Sequence, residues 1–167
     1  EGISQVTADD IAAATRLGYV VMLLAIAERF DDGALAVRVH PAMVPVAHPL
    51  ASVRDSYNAV FVEGDAVGSL MFYGRGAGGR PTASAVLGDV IDAASNLRKG
   101  THATIGMFER ARMLPIDETS AEYYIPLEVA DRPGVLHLVT GAFAVHDVSI
   151  RTAEQEGLGD DARLVFI

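Results

Sequence analysis

The sequence predicts an α+β fold: antiparallel hairpins with flanking helices over residues 1–97, a linker over 98–120, and a β-α-β-β unit over 121–167. Three observations carry this. Apolar runs of strand length come in pairs split by turn residues, Tyr19–Glu28 with Leu35–Val39 and Asn58–Glu63 with Ala66–Tyr73. Two other stretches, from Val6 and from Pro81, repeat apolar residues at helical spacing. After a polar stretch of mixed charge, a fresh strand–turn–helix–strand–strand pattern starts at Ala121.

Composition bounds the function. The chain has 167 residues, half of them hydrophobic, so a sizeable core is expected. Thirteen basic against 22 acidic residues give a net charge of −9, which disfavours nucleic acid and anionic membrane as partners. Without cysteine there is neither a disulfide framework nor thiolate chemistry, and a cytoplasmic location fits. The longest apolar run, Tyr19–Ala27, is far short of the ~20 residues a membrane helix needs. No initiator methionine opens the chain and an apolar run closes it, so it is expected to be a piece of a longer protein.

The elements follow in order. Thr7 suits an N-cap, answered by Asp10 three residues on, and Gly18 stops the helix that spans Val6–Leu17. Asp9 and Asp10 could be imagined as a metal pair, but capping explains them without one. Asp31-Asp32-Gly33 turns the first hairpin. The prolines of His40–Pro49 then force extended, turning backbone. His40 and His48 match no zinc spacing, so no metal site is expected. Leu50–Ser56 reads as a short helix, and Gly64-Asp65 as a two-residue hairpin turn. Both hairpins are expected in one antiparallel sheet. The helix Pro81–Asn96 has apolar Val86, Leu87, Val90 and Ile91, with Asp89 and Asp92 on its wet face. A strand is expected at His102–Phe108 within the linker. Strands at Tyr123–Val129, Val148–Gln155 and Ala162–Ile167 with a helix from Val135 give β-α-β-β, the front of a ferredoxin-like βαββαβ unit.

The stretch with most chemical promise is Gly74-Arg75-Gly76-Ala77-Gly78-Gly79, between a strand and the helix begun by Pro81. Its glycines permit positive φ and close approach of a ligand, and a helix N-terminus behind it favours a phosphate or carboxylate. Gly74-x-Gly76-x-x-Gly79 formally matches a dinucleotide pattern. The preceding strand, however, belongs to a hairpin, no acid-ended second strand follows, and there is no Walker lysine. A plain tight turn is the competing reading.

Asp131-Arg132-Pro133-Gly134-Val135-Leu136, with His146-Asp147-Val148-Ser149-Ile150, resembles an ACT domain, covering Ala121 to the end. The resemblance implies a regulatory module that binds an amino acid between two copies. By it, Asp131, Arg132, Pro133, Gly134 and Val135, with Ser149 and Ile150 opposite, would border the effector.

The first part resembles homoserine dehydrogenase, from the second half of its catalytic region onward. The resemblance rests on Glu1-Gly2-Ile3, Val6–Ile11, Leu17–Val20, Val39–Pro45, Leu50–Val53, Tyr73–Gly78 and Pro81–Val86 in the family's order. It implies an NAD(P)-dependent oxidoreductase of threonine and methionine biosynthesis that interconverts L-homoserine and L-aspartate 4-semialdehyde, with L-threonine as feedback effector. It implies Gly76, Ala77, Gly78 and, more weakly, Arg75 as cofactor neighbours. No residue here matches the family's catalytic groups, and Met22 stands where the family often has lysine. The nucleotide-binding domain and proton relay are expected upstream, so this piece alone is expected to be inactive. A homo-oligomer, dimer or larger, is expected. The alternative is an amino-acid-binding, dimerising regulatory module without catalysis of its own.

Overall fold

Thr7 starts α1 (Ala8–Arg16) through the expected capping box: its hydroxyl accepts from Asp10 N–H at 3.2 Å, and Asp10 Oδ2 accepts from Thr7 N–H at 2.9 Å. Gly18, at φ +82°, turns the chain directly into β1 (Tyr19–Arg29). The computed structural model describes residues 2–101, 110–157, 159 and 162–167. The strand expected at 102–108 lies outside them.

β1 pairs antiparallel with β2 (Leu35–Pro45), in register from Tyr19 opposite Pro45 to Arg29 opposite Leu35. Asp32 holds the turn by accepting from Ala34 N–H at 2.9 Å. β2 runs past Val39 to Pro45, where the sequence suggested turning backbone. In a two-stranded sheet every strand is an edge, and edges tolerate proline. A short 3₁₀ turn at Pro49–Ser52 replaces the expected helix, capped by His48, whose Nδ1 accepts from Leu50 N–H at 3.2 Å.

β3 (Tyr57–Gly64) and β4 (Gly68–Arg75) form the second hairpin. Gly64 pairs with Gly68, so the loop is Asp65-Ala66-Val67 rather than two residues. The left-handed position falls on Gly68, at φ +71°, as a three-residue loop requires. The hairpins form separate two-stranded sheets, not the single sheet expected. The Pro45–Pro49 segment ends β2 before a ladder can continue into the next hairpin.

α2 (Gly79–Lys99) ends at Gly100 in the left-handed conformation. Its apolar residues Val86, Leu87, Val90 and Ile91 are all exposed, so the side expected to be dry has no cover among the described residues. No helix among the described residues is long and apolar enough to cross a membrane.

The C-terminal unit holds β5 (Ile125–Val129), α3 (Val135–Val145), β6 (Ala153–Glu156) and β7 (Ala162–Phe166). β7 lies between β5 and β6, antiparallel to both. β6 begins later than expected because the chain is still turning before it. Val148 N–H closes α3 on Phe143 C=O at 2.9 Å, and Asp147 has φ +56°. Ala162, Leu164, Val165 and Phe166 make β7 the best-buried strand. Phe166 meets Phe143 of α3 edge-on at 5.2 Å. Arg163, Val165, Glu154 and Glu156 share the other face, which turns toward α1.

Candidate functional site

The glycine turn joins β4 to α2. Gly78 is the N-cap of α2, at φ +119° and ψ 147°, and no side chain caps the helix. Pro81 has no N–H, and Thr82 N–H returns to Gly78 C=O at 3.1 Å. The N–H groups of Gly79 and Arg80, with no intrahelical acceptor, are left at the positive end of a 21-residue helix. Gly76 serves differently: a Cβ there would overlap the Asn58 side chain, so the strand–turn contact needs glycine. At the other end of the turn, the Arg75 guanidinium lies 5.2 Å from the Tyr57 ring centroid, and Tyr57 stacks on Tyr73 at 4.9 Å. Gly76, Ala77 and Gly78, with Arg75 beside them, thus form an open rim beside an uncapped helix start.

The residues suggested for an effector fall into two places. Asp131 to Val135 line a cavity of about 440 Å³ together with Gln155 and Leu164. Gln155 Nε2 donates to Asp131 Oδ1 at 2.9 Å, and Gly134 opens α3 at φ +96°. Ser149 and Ile150 instead line a separate cavity of about 300 Å³ beside Phe143 and Phe166. Within this chain the two groups are not brought together. A third, larger cleft of about 690 Å³ opens between β2 and the segment leading into β5, with Val37, Arg38, His40, Ile116 and Glu122 on its walls.

A polar cluster that no sequence pattern signals lies between α1 and the C-terminal sheet. Asp10 Oδ1 accepts from the Tyr124 hydroxyl at 3.0 Å and from the Arg163 guanidinium. Arg163 also reaches the Tyr124 oxygen at 3.2 Å. Nearby Arg16 pairs with Glu156, and its Nε lies 3.8 Å from Glu154 Oε1. Burial is the largest single influence on the Asp10 carboxyl and pushes it up. Hydrogen bonds from the Thr7 backbone and hydroxyl, Arg163 and Tyr124 together outweigh it and bring it down to about 2. Burial, and then the bond to Asp10, push the Tyr124 phenol up to about 12. Only the Thr7–Asp10 spacing was legible in advance. Tyr124 and Arg163 lie 114 and 153 residues from Asp10, and no local pattern links them.

The homoserine dehydrogenase family model matches residues 1–91. A homoserine dehydrogenase of Corynebacterium glutamicum is 47% identical over the whole of this chain, and one of Mycobacterium tuberculosis 45%. The crystal structure of a homoserine dehydrogenase from Thiobacillus denitrificans aligns over 99% of this chain with a TM-score of 0.90 at 35% identity. A Staphylococcus aureus homoserine dehydrogenase aligns over 99% with a TM-score of 0.66 at 31% identity. The chain spans about two fifths of the length of each of these proteins, between 39% and 40%.

Proposed function

This chain belongs to the homoserine dehydrogenase family, and we propose that it is part of an NAD(P)-dependent oxidoreductase interconverting L-homoserine and L-aspartate 4-semialdehyde. The observation that carries this reading within the chain is the uncapped start of α2 behind Gly76-Ala77-Gly78, inside the family-matched residues. Two open N–H groups and the helix dipole suit an anionic or carbonyl edge of a nucleotide cofactor. The rim fits the group, since no side chain occupies the helix start as a hydrogen-bonding cap. Bound nicotinamide would supply the hydride acceptor or donor. The share of this chain would be to orient one edge of it, with Arg75 held over Tyr57 as a neighbouring positive charge. Proton transfer is assigned to groups outside this chain, which alone is not expected to turn over substrate. A cytoplasmic setting fits such an enzyme.

The C-terminal unit is read as a partial ACT domain, supported by its β-α-β-β order and by β7 lying between β5 and β6. Its effector in this reading is L-threonine, held at the Asp131–Val135 cavity. Ser149 and Ile150 are assigned to the same function across an interface with a second copy, which would reconcile the two separate cavities. The exposed apolar faces of α2 and of the second hairpin, Phe72 and Val60 among them, support a homo-oligomer.

The test is homoserine oxidation by the full-length enzyme, followed as NAD(P)H formation. Gly78→Ala should raise the cofactor KM with the homoserine KM little changed. Equal cofactor KM in the two proteins would remove the glycine turn from the cofactor site.

A further inference from the structure

α1 and the C-terminal sheet meet through ion pairs of opposite sense. The acid on α1 (Asp10) meets a sheet arginine (Arg163), and the arginine on α1 (Arg16) meets sheet acids (Glu154 and Glu156). Swapped polarity fixes register, because a sliding or rotated contact would oppose like charges. The Asp10–Arg163 pair is well shielded, with side chains 18% and 19% exposed. A shielded charge left without its partner is penalised far more than a surface one. Breaking the contact therefore costs more than breaking a surface pair.

What it holds is equally specific. Asp10 Oδ2 accepts from both the amide and the hydroxyl of Thr7, so a displaced Asp10 unpicks the start of α1. At the other end, Leu17-Gly18 leaves no slack before β1. Asp10 is thus tied through α1 to a strand of the family-matched region.

We infer that Tyr124 and Arg163 form a clasp on Asp10 through which the C-terminal unit positions α1 and β1, and through which an effector held by that unit changes the activity of the enzyme. The regulatory half of this inference rests on the reading of the C-terminal unit as threonine-binding. Tyr124 and Arg163 are positioning residues in it: they touch neither substrate nor cofactor.

The experiment uses full-length enzyme with Tyr124→Phe, Arg163→Met and the conservative Arg163→Lys. Four quantities are read: basal kinetics, threonine affinity by calorimetry, the threonine concentration for half-inhibition, and amide hydrogen exchange over residues 8–16. Tyr124→Phe removes a single oxygen and leaves the helix cap intact, so it guards against a variant that fails to fold. Tyr124→Phe and Arg163→Met should keep basal kcat and KM within about twofold and threonine affinity within about threefold. Their half-inhibition concentration should rise on the order of tenfold, and α1 should exchange on the order of tenfold faster, with Arg163→Lys intermediate. Inhibition that still tracks binding as in the wild type would overturn the clasp as a transmitter. If the wild type neither binds threonine nor is inhibited by it, the threonine reading falls. The clasp is then decided by exchange alone, and unchanged protection of α1 in Arg163→Met would overturn it.

Discussion

The Tyr124 hydroxyl donates to Asp10 Oδ1 at 3.0 Å, while the second oxygen of the same carboxylate accepts from Thr7 at the start of α1. One side chain thus serves a local cap and a contact 114 residues away. The two roles can be separated experimentally.

Acid should expose the carboxylate. Asp10 titrates at about 2 in the folded chain against an ordinary 3.8, so its folded pKa is depressed. The stability it contributes is complete above the ordinary value and is lost as pH falls from about 4 through about 2. Urea unfolding of wild type and Asp10→Asn at several pH values should give a gap that is constant from pH 7 to 5 and closes toward pH 2. A gap independent of pH would mean that the charge of Asp10 contributes nothing.

Alkali should expose the phenol. Tyr124 is raised to about 12, because burial and Asp10 both oppose the phenolate. Its contribution is complete below about 10 and is lost as pH rises through about 12. Absorbance at the tyrosinate band should show a late-titrating component in the wild type that is missing in Tyr124→Phe and shifted to lower pH in Asp10→Asn.

The glycine turn should respond residue by residue. Gly78 sits at φ +119°, so Gly78→Ala should lose about 1–3 kcal/mol of stability. Gly76→Ala should also destabilise, through overlap with Asn58, and Asn58→Ala should restore part of the loss. Gly74→Ala meets open space at an ordinary backbone angle and should stay within about 0.5 kcal/mol of wild type. Thermal unfolding of the three variants checks this order. Equal effects would show that the turn is uniformly permissive.

At the proposed effector cavity, Asp131→Ala removes the acceptor that holds Gln155. Threonine affinity of the full-length enzyme should fall on the order of tenfold, in line with ~1.5–3 kcal/mol for a hydrogen bond to a charged group. Calorimetry reads it directly, and unchanged affinity would move the effector away from this cavity.

Local rules made much of the fold legible. Thr7 with Asp10, Gly18 and the Asp31–Gly33 turn each encode their geometry within a few residues, whereas α2 runs past the expected end at Asn96 to stop at Gly100. The misread places are those where context decides. Pro41 and Pro45 look like strand breakers, yet sit in an edge strand that tolerates them. Val148-Ser149-Ile150 has strand composition, yet is spent turning out of α3. The apolar stripe of α2 announces burial that the described residues do not supply. Of the candidate sites, the glycine turn and the Asp131–Gly134 turn were legible as turns, at Gly78 and Gly134 with positive φ, while the effector role of Asp131–Val135 came from family resemblance alone. The Asp10–Tyr124–Arg163 cluster was not visible, because only the fold brings three polar residues of ordinary spacing together.

The most direct measurement is homoserine oxidation by the full-length enzyme, followed as NADH or NADPH formation with and without L-threonine. Oxidation that threonine suppresses is the expected result. No oxidation of homoserine with either cofactor would contradict it.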